Sequence, residues 1–179
     1  MCKYWVYIII MGFFSSGLRG ETYREKSTGI EFPDVIGSYK RGKISSYEAE
    51  PGNGGVAIEY RAEDAEVTVY TRNTGADSHL TSADYLKDSL AGIKELEKRG
   101  QYSNVKIYEF SPEKERANWK SAAFTSQSKD RFIISFIYCT VVSNHLVKIR
   151  STTGNPKNEE LQSFVKKLQD VVDHVSQKP

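Results

Sequence analysis

Residues 131–142 read RFIISFIYCTVV, and this stretch decides the fold. Successive side chains of an extended strand point to opposite faces, and here both faces are apolar. The two sets are Phe132, Ile134, Phe136 and Tyr138, and Ile133, Ile137, Cys139 and Val141. A strand that is apolar on both faces must be covered on both faces. The sequence therefore predicts that 131–142 is the central strand of a sheet with a layer of structure on each side.

Shorter strand patterns lie on both sides of this run. On its C-terminal side, Ser143-Asn144 predicts a tight turn into a strand over 145–149. On its N-terminal side, β-favouring segments occur at 29–33, 36–47, 56–60, 67–71, 105–110 and 118–125, with turns at 50–55 and 62–64. Adjacent strands joined by turns this short must be antiparallel.

Two segments have helical periodicity instead. Within 81–99, apolar residues recur at helical spacing at Leu86, Leu90, Ile93 and Leu96. Thr81 with Asp84 predicts a capping box at the start of this helix, and Gly100 its end. In the final helix, Pro156 is expected at the first helical position. Its apolar stripe is Leu161, Phe164, Val165, Leu168, Val171, Val172 and Val175.

The order of elements is four short strands, a helix, four strands and a helix. A doubly wound parallel sheet would need a helix after nearly every strand. We therefore predict an α+β fold, in which a mostly antiparallel sheet packs with two amphipathic helices. Since 131–142 is apolar on both faces, the helices should not both lie on one face, unless a second layer covers the other.

The N-terminus has the three regions of a secretory signal peptide. Lys3 precedes an apolar run over 4–14, and Ser15 and Gly17 fit the −3 and −1 positions for cleavage after Gly17; cleavage after Gly20 is the second option. The run makes roughly 16 Å of helix, about half of a bilayer core. An uncleaved anchor and a buried N-terminal strand or helix are the alternatives. We expect a secreted or periplasmic protein with a signal peptide over 1–20, a loose polar lead-in over 21–28 and one domain over 29–179.

Cleavage would change the charge and the cysteine count. The chain has 25 Lys and Arg against 23 Asp and Glu, and Lys3 and Arg19 are the only charged residues of the first twenty, so a chain cleaved after Gly20 is formally neutral. Neutrality gives no reason to expect nucleic acid or an anionic membrane as a partner, and we expect no stable membrane insertion after cleavage. Cys139 then remains alone in the most apolar strand, which favours a buried, unreactive thiol over the alternative of a covalent dimer through Cys139.

No residues have the spacing that a known catalytic or metal chemistry requires. A Gly-x-Ser-x-Gly nucleophile motif is absent, and the histidines are too far apart for a helical metal pair, at His79, His145 and His174. Asp77, His79 and Asp84 come nearest to a cluster, which we interpret as a helix-capping loop. We therefore assign no catalytic, cofactor-binding or metal-binding residue, expect no cofactor, and expect that the protein is not an enzyme.

Tyrosine is the one residue type in excess, with eleven in the chain. Amphipathic rings at strand edges are typical of interfaces, but tyrosine is also a good strand former, and the second interpretation is favoured. Seven tyrosines fall in or beside predicted strands, namely Tyr39, Tyr47, Tyr60, Tyr70, Tyr102, Tyr108 and Tyr138.

The order of elements, the size and the export signal resemble the PsbP-like group of α/β/α sandwiches, which includes a lumenal photosystem subunit and many exported bacterial proteins. The segments IGSYKRG at 36–42, VAIEY at 56–60 and VTVY at 67–70 are similar to stretches in exported bacterial proteins of unknown function. The resemblance covers about 29–176. It implies a binding or assembly module rather than an enzyme, and it transfers no functional residue.

The sequence leaves three functions open. The leading hypothesis is an exported, non-catalytic module that binds a protein or cell-envelope component through its sheet or loops. The alternatives are a carrier of a small apolar ligand, held in a cavity of roughly a few hundred Å³ between sheet and helix, and an enzyme of unrecognised type. An exposed tyrosine patch over a solid core would favour the first, an apolar cavity the second, and a cleft gathering Asp77, His79 and a perturbed acid the third.

Overall fold

The computed structural model describes residues 21–48, 54–74, 79–110, 116–128, 131–155 and 157–176. The predicted signal peptide, Asp77 and Pro156 lie outside these residues. Within them the elements are β1 (Tyr23–Arg24), β2 (Glu31–Phe32), β3 (Val35–Ile36), β4 (Tyr39–Glu48), β5 (Gly54–Arg61), β6 (Ala65–Asn73), α1 (Ser82–Lys98), β7 (Ser103–Phe110), β8 (Lys120–Ser128), β9 (Arg131–Val142), β10 (His145–Thr153) and α2 (Glu159–Ser176).

Eight strands form one sheet in the order β3-β4-β5-β6-β10-β9-β8-β7, and every pairing in it is antiparallel. The predicted α+β class with an antiparallel sheet is therefore confirmed. The predicted central strand is β9, which lies inside the sheet between β10 and β8. The middle of the sheet is instead the β6–β10 pair, which joins two hairpin systems that are distant in sequence.

The two helices cover opposite faces of the sheet. On the α1 side, Leu86, Leu90 and Ile93 pack with β9 residues Ile137 and Cys139. On the α2 side, a larger core contains helix residues together with residues of β2, β4, β5, β6, β9 and β10, among them Leu161, Phe164, Leu168, Phe32, Tyr39, Ile58, Tyr60, Val67, Val142 and Ile149. This α/β/α arrangement explains why residues 131–142 are apolar on both faces.

The predicted start of α1 is confirmed, whereas the predicted start of α2 is wrong. At α1 the capping box is confirmed, because the Thr81 amide donates to Asp84 Oδ2 at 3.0 Å and the Asp84 amide donates to Thr81 Oγ1 at 3.2 Å. Helix α2 begins at Glu159, later than the predicted start at Pro156. Asn158 explains the later start, since its Oδ1 accepts from the Leu161 amide at 2.7 Å, which is an N-cap interaction.

The loose lead-in expected over 21–28 is instead an ordered part of the fold. β1 pairs with β2, and the buried Glu25 carboxylate accepts the backbone amides of Ser27 and Thr28 at 3.0 and 2.7 Å and both of their hydroxyls. Arg41 fixes the segment to the sheet by donating to the Glu21 carbonyl at 2.9 Å. The polar groups of this segment form hydrogen bonds with one another. Composition alone does not show this.

Within the described part of the chain, neither helix has the length and apolar character needed to cross a membrane.

Candidate functional site

Helix α2 covers only part of its side of the sheet. Phe164 stacks on Tyr39 of β4, with ring centroids 4.0 Å apart, and meets the Tyr60 ring of β5 edge-on. From there the helix continues over β10 and β9. Strands β8 and β7 lie beyond β9 in the strand order, so this end of the sheet extends past the helix.

Five aromatic side chains lie on or beside that end, and we refer to them as the aromatic face: Tyr108 and Phe110 of β7, and Phe132, Phe136 and Tyr138 of β9, of which Tyr138 also packs against the α2-side core. The register places Tyr108, Ala123 and Phe136 in one row across the three strands, and Phe110, Ser121 and Tyr138 in the next. Residues that lie directly opposite in antiparallel strands share a face, so all five rings are on the α2 side.

Three of these rings are largely exposed to solvent. The exposed fractions are 53% for Tyr108, 39% for Phe110 and 55% for Phe132. The Phe110 and Tyr138 rings meet edge-on at 6.1 Å between centroids. Tyr108 and Phe110 are neighbours on one face of β7, and exposed apolar groups that lie together are typical of an interaction surface.

A groove of about 590 Å³ runs between the aromatic face and α2. Phe110, Phe136 and Tyr138 form its sheet side. The helix side is mostly polar, with Glu159, Gln162, Ser163, Lys166 and Gln169. Near its end, Arg116 is held by ion pairs with Asp170 and Asp173. The groove is therefore an open, two-sided channel rather than an apolar cavity.

Strand β7 is also an edge of the sheet. Among the described residues it pairs with β8 alone, over Ser103–Phe110, whereas the opposite edge strand β3 has only two residues. The Val105 amide donates to Glu97 Oε1 of α1 at 2.9 Å, so the helix covers the beginning of the strand. The part that carries Tyr108 and Phe110 offers backbone donors and acceptors next to exposed aromatic rings.

The structure does not bring the predicted histidines together. His79 is exposed, Asp84 is engaged in the α1 capping box, and Asp77 lies outside the described residues. His145 is buried, with Nδ1 2.8 Å from the Ser143 carbonyl oxygen, and His174 is in the last turn of α2. No group of three metal-ligating side chains is found among the residues described. The geometry supports the helix-capping interpretation.

Cys139 is a free thiol on the α1 side of the sheet, as predicted. Burial raises its pKa to about 12. Since the thiolate is the reactive form, the thiol is unreactive at neutral pH.

The tyrosines divide into core and surface groups. Tyr39 and Tyr60 are fully buried, which fits the interpretation of tyrosine as a strand former. Tyr108 and Tyr138 belong to the aromatic face. Sequence reasoning missed the phenylalanines of this face, because it assigned Phe132 and Phe136 to a covered surface. That assignment is wrong for Phe132, since β9 extends beyond the helix that covers its middle. A Tyr-x-Phe pattern at the end of the short strand 105–110 was the available signal.

An antiparallel sheet enclosed by two helices defines a class of α/β/α sandwich folds. No family model and no curated protein matches the chain. Among solved structures, the chain is similar to cyanobacterial PsbP (CyanoP) from Synechocystis sp. PCC 6803, with 15% identity and a TM-score of 0.46, over 90% of this chain and 94% of that one. The similar structure is a PsbP, the group that the order of elements resembles.

Proposed function

We propose that this chain is an exported, non-catalytic binding module, and that the aromatic face is where it binds a protein partner. The observation that carries the proposal is the exposure of Tyr108, Phe110 and Phe132 on one uncovered end of the sheet. Export is supported by the signal-peptide pattern at the N-terminus.

Aromatic rings supply much of the binding energy of protein interfaces. Each removes a large area from water when covered, and apolar burial is worth about 25 cal/mol per Å². The rings here lie on rigid strands, so little conformational freedom is lost when a partner covers them. A partner that covers the aromatic face would therefore gain energy without any rearrangement of the sheet.

The free edge of β7 indicates the shape of the partner. An extended segment can pair with an exposed edge through its backbone, while its alternate side chains contact the adjoining face. Beside β7, those side chains would meet Tyr108 and Phe110. Lys106 is exposed on the same face, one row beyond Tyr108. We propose as partner an extended segment with apolar alternate residues and an acidic residue opposite Lys106.

The carrier alternative has less support. The groove between α2 and the sheet reaches the size of a ligand site, but its helix side is mostly polar, which does not suit an apolar ligand. Ligand cavities for apolar molecules are lined mainly by hydrophobic residues.

Site-specific photocrosslinking in the cell envelope tests the proposal. A photoreactive amino acid at Tyr108 should yield one discrete adduct, whereas the same group at Val35 should not, since Val35 is equally exposed on the opposite edge strand. The double variant Tyr108→Ser with Phe110→Ser should fail to compete with the wild-type chain for that adduct. Equal labelling from both positions, or no adduct from Tyr108, would overturn the proposal.

A further inference from the structure

Three cationic side chains lie together on the α1 side of the sheet, away from the aromatic face. They are Arg72 of β6 and Lys148 and Arg150 of β10. Lys148 lies opposite Tyr70 in the β6–β10 pair, and Arg72 lies opposite Leu146, a member of the α1-side core. The three line an open pocket of about 510 Å³, which we call the cation pocket; α1 contributes Tyr85, Asp88, Ser89, Gly92, Ile93 and Leu96 to it, and β4 and β6 contribute Tyr47 and Tyr70.

Aromatic rings, rather than carboxylates, surround the three cations. Lys148 Nζ is 4.4 Å from the centroid of the Tyr70 ring and 5.5 Å from that of Tyr85, and Arg72 lies 5.5 Å from the Tyr85 centroid. Arg150 lies over the Phe124 ring at 5.3 Å and donates to the Tyr102 hydroxyl at 2.8 Å.

None of the three cations makes an ion pair within the described residues. Asp88 is the one carboxylate among the described residues that line the pocket, and the buried Nε of Arg150 has no hydrogen-bond partner among them. The local charge is therefore close to two positive units in excess, in a partly dehydrated space.

All three cationic side chains are half-buried. A buried charge is stabilised by an opposite charge or by hydrogen bonds, and cation–π contacts compensate only in part. Burial lowers the pKa of Lys148, and Arg150 and Arg72 lower it further. Since Asp88 is the one carboxylate among the lining residues that the structure describes, a ligand with negative charge would stabilise the three cations.

One wall of the cation pocket depends on a glycine. A Cβ on Gly55 would meet the Tyr47 ring carbon Cζ and its hydroxyl at 2.7 Å, as well as the Thr71 carbonyl oxygen. Gly55 therefore allows the Tyr47 ring to lie across β5, where its hydroxyl donates to that carbonyl at 3.0 Å. The backbone of β5 and β6 therefore determines the position of the Tyr47 ring.

We propose that the cation pocket binds a small organic phosphate monoester. The doubly charged oxyanion would accept from Arg72, Lys148 and Arg150, and its charge matches the excess that they leave. Arginine and lysine are the usual ligands of phosphate oxygens. The tyrosine rings would contact the organic part, and the volume of the pocket suits a molecule of this size. The site is independent of the aromatic face.

Titration calorimetry with phenyl phosphate tests this site, because the probe combines a dianion with a ring. Inorganic phosphate lacks the ring and phenol lacks the charge. At constant ionic strength, we expect phenyl phosphate to bind at least about tenfold more tightly than either. Phenyl sulfate and succinate distinguish a phosphate site from a general anion site, and both should bind more weakly. Equal affinity for all the anions, or no binding of phenyl phosphate, would overturn the proposal.

The variant Lys148→Met distinguishes a role of this lysine in ligand binding from a role in folding. We expect it to weaken phenyl phosphate binding at least about tenfold, which is the scale of a charge-assisted contact, while the melting temperature rises by about 2–4 °C. Lys43→Met removes an equal charge from an exposed position on β4 and should leave the affinity unchanged. Arg72→Gln is the second variant and should weaken binding in the same way. Unchanged affinity in both pocket variants, or an equal loss in Lys43→Met, would overturn the proposal.

Discussion

Strand β10 shows how differently the two sides of the sheet are built. Residues 147–150 alternate valine, lysine, isoleucine and arginine. Val147 and Ile149 face α2 and are completely buried in an apolar core, whereas Lys148 and Arg150 face α1 and line the cation pocket. Both sides are covered by an amphipathic helix, so the demands of folding are similar. The difference fits the proposal that the charges on the α1 side serve binding rather than stability.

The largest expected effect comes from placing a charge on the wrong side of β10. Ile149→Lys puts an ammonium group into the apolar core under α2, and we expect a loss of about 4–5 kcal/mol in the free energy of unfolding. Urea unfolding followed by circular dichroism measures it. Lys148→Met, one residue away, is the control and should stabilise the chain. A loss below about 1 kcal/mol for Ile149→Lys would show that the two sides tolerate charge equally.

Gly55→Ala should have the next largest effect. Its Cβ displaces the Tyr47 ring or the β6 backbone, and overpacking of this kind costs about 1–3 kcal/mol. Phenyl phosphate affinity should fall with it, because the wall of the cation pocket moves. Gly92→Ala is the matched control: it lies in α1 beside the same pocket, has open space at its Cβ, and should gain up to about 1 kcal/mol of stability. If Gly55→Ala matches this control in stability, Tyr47 is not held as the geometry implies.

Glu25 extends the comparison to a third charged site, because its buried carboxylate has hydrogen-bond partners. Burial raises the pKa of Glu25, but hydrogen bonds from Thr28 and Ser27 outweigh it and hold the pKa below its ordinary value of 4.5. The carboxylate therefore stabilises the fold fully above pH 4.5, and this contribution is lost as the pH falls through the folded-state pKa.

We expect Glu25→Gln to lower the free energy of unfolding at pH 7 by about 1–2 kcal/mol. The difference from the wild-type chain should shrink as the pH is lowered, as measured by urea unfolding across a pH series. Glu63→Gln, in an exposed turn, is the control and should follow the wild-type curve. A constant difference at every pH would mean that the charge of Glu25 has no role.

Local signals accounted for much of the fold. Helix α1, with its capping box and Gly100, and the exact bounds of β9 followed from periodicity and turn chemistry. The ordered segment 21–28 did not, because its stability lies in hydrogen bonds to one carboxylate. The cation pocket depends on the pairing of β6 with β10, which are far apart in sequence, although alternating charge in 146–150 was a visible signal. Exposure of Phe132 depends on how far α2 reaches across the sheet, and a strand pattern does not contain that information.

The smallest effect on stability is expected at the aromatic face, and there a small effect is the informative result. Tyr108 and Phe110 are exposed, so the double change to serine should alter the free energy of unfolding by no more than about 0.5 kcal/mol per residue. Tyr60→Phe is a useful reference, because it removes a buried hydroxyl that donates to the Pro33 carbonyl at 2.8 Å and should cost about 1 kcal/mol. If the double serine variant is instead destabilised by several kcal/mol, the rings belong to the core, and the partner proposed for the aromatic face loses its basis. If stability is retained while the crosslinked adduct disappears, the rings serve binding, which is the role that we propose for the cations on the opposite side of the sheet.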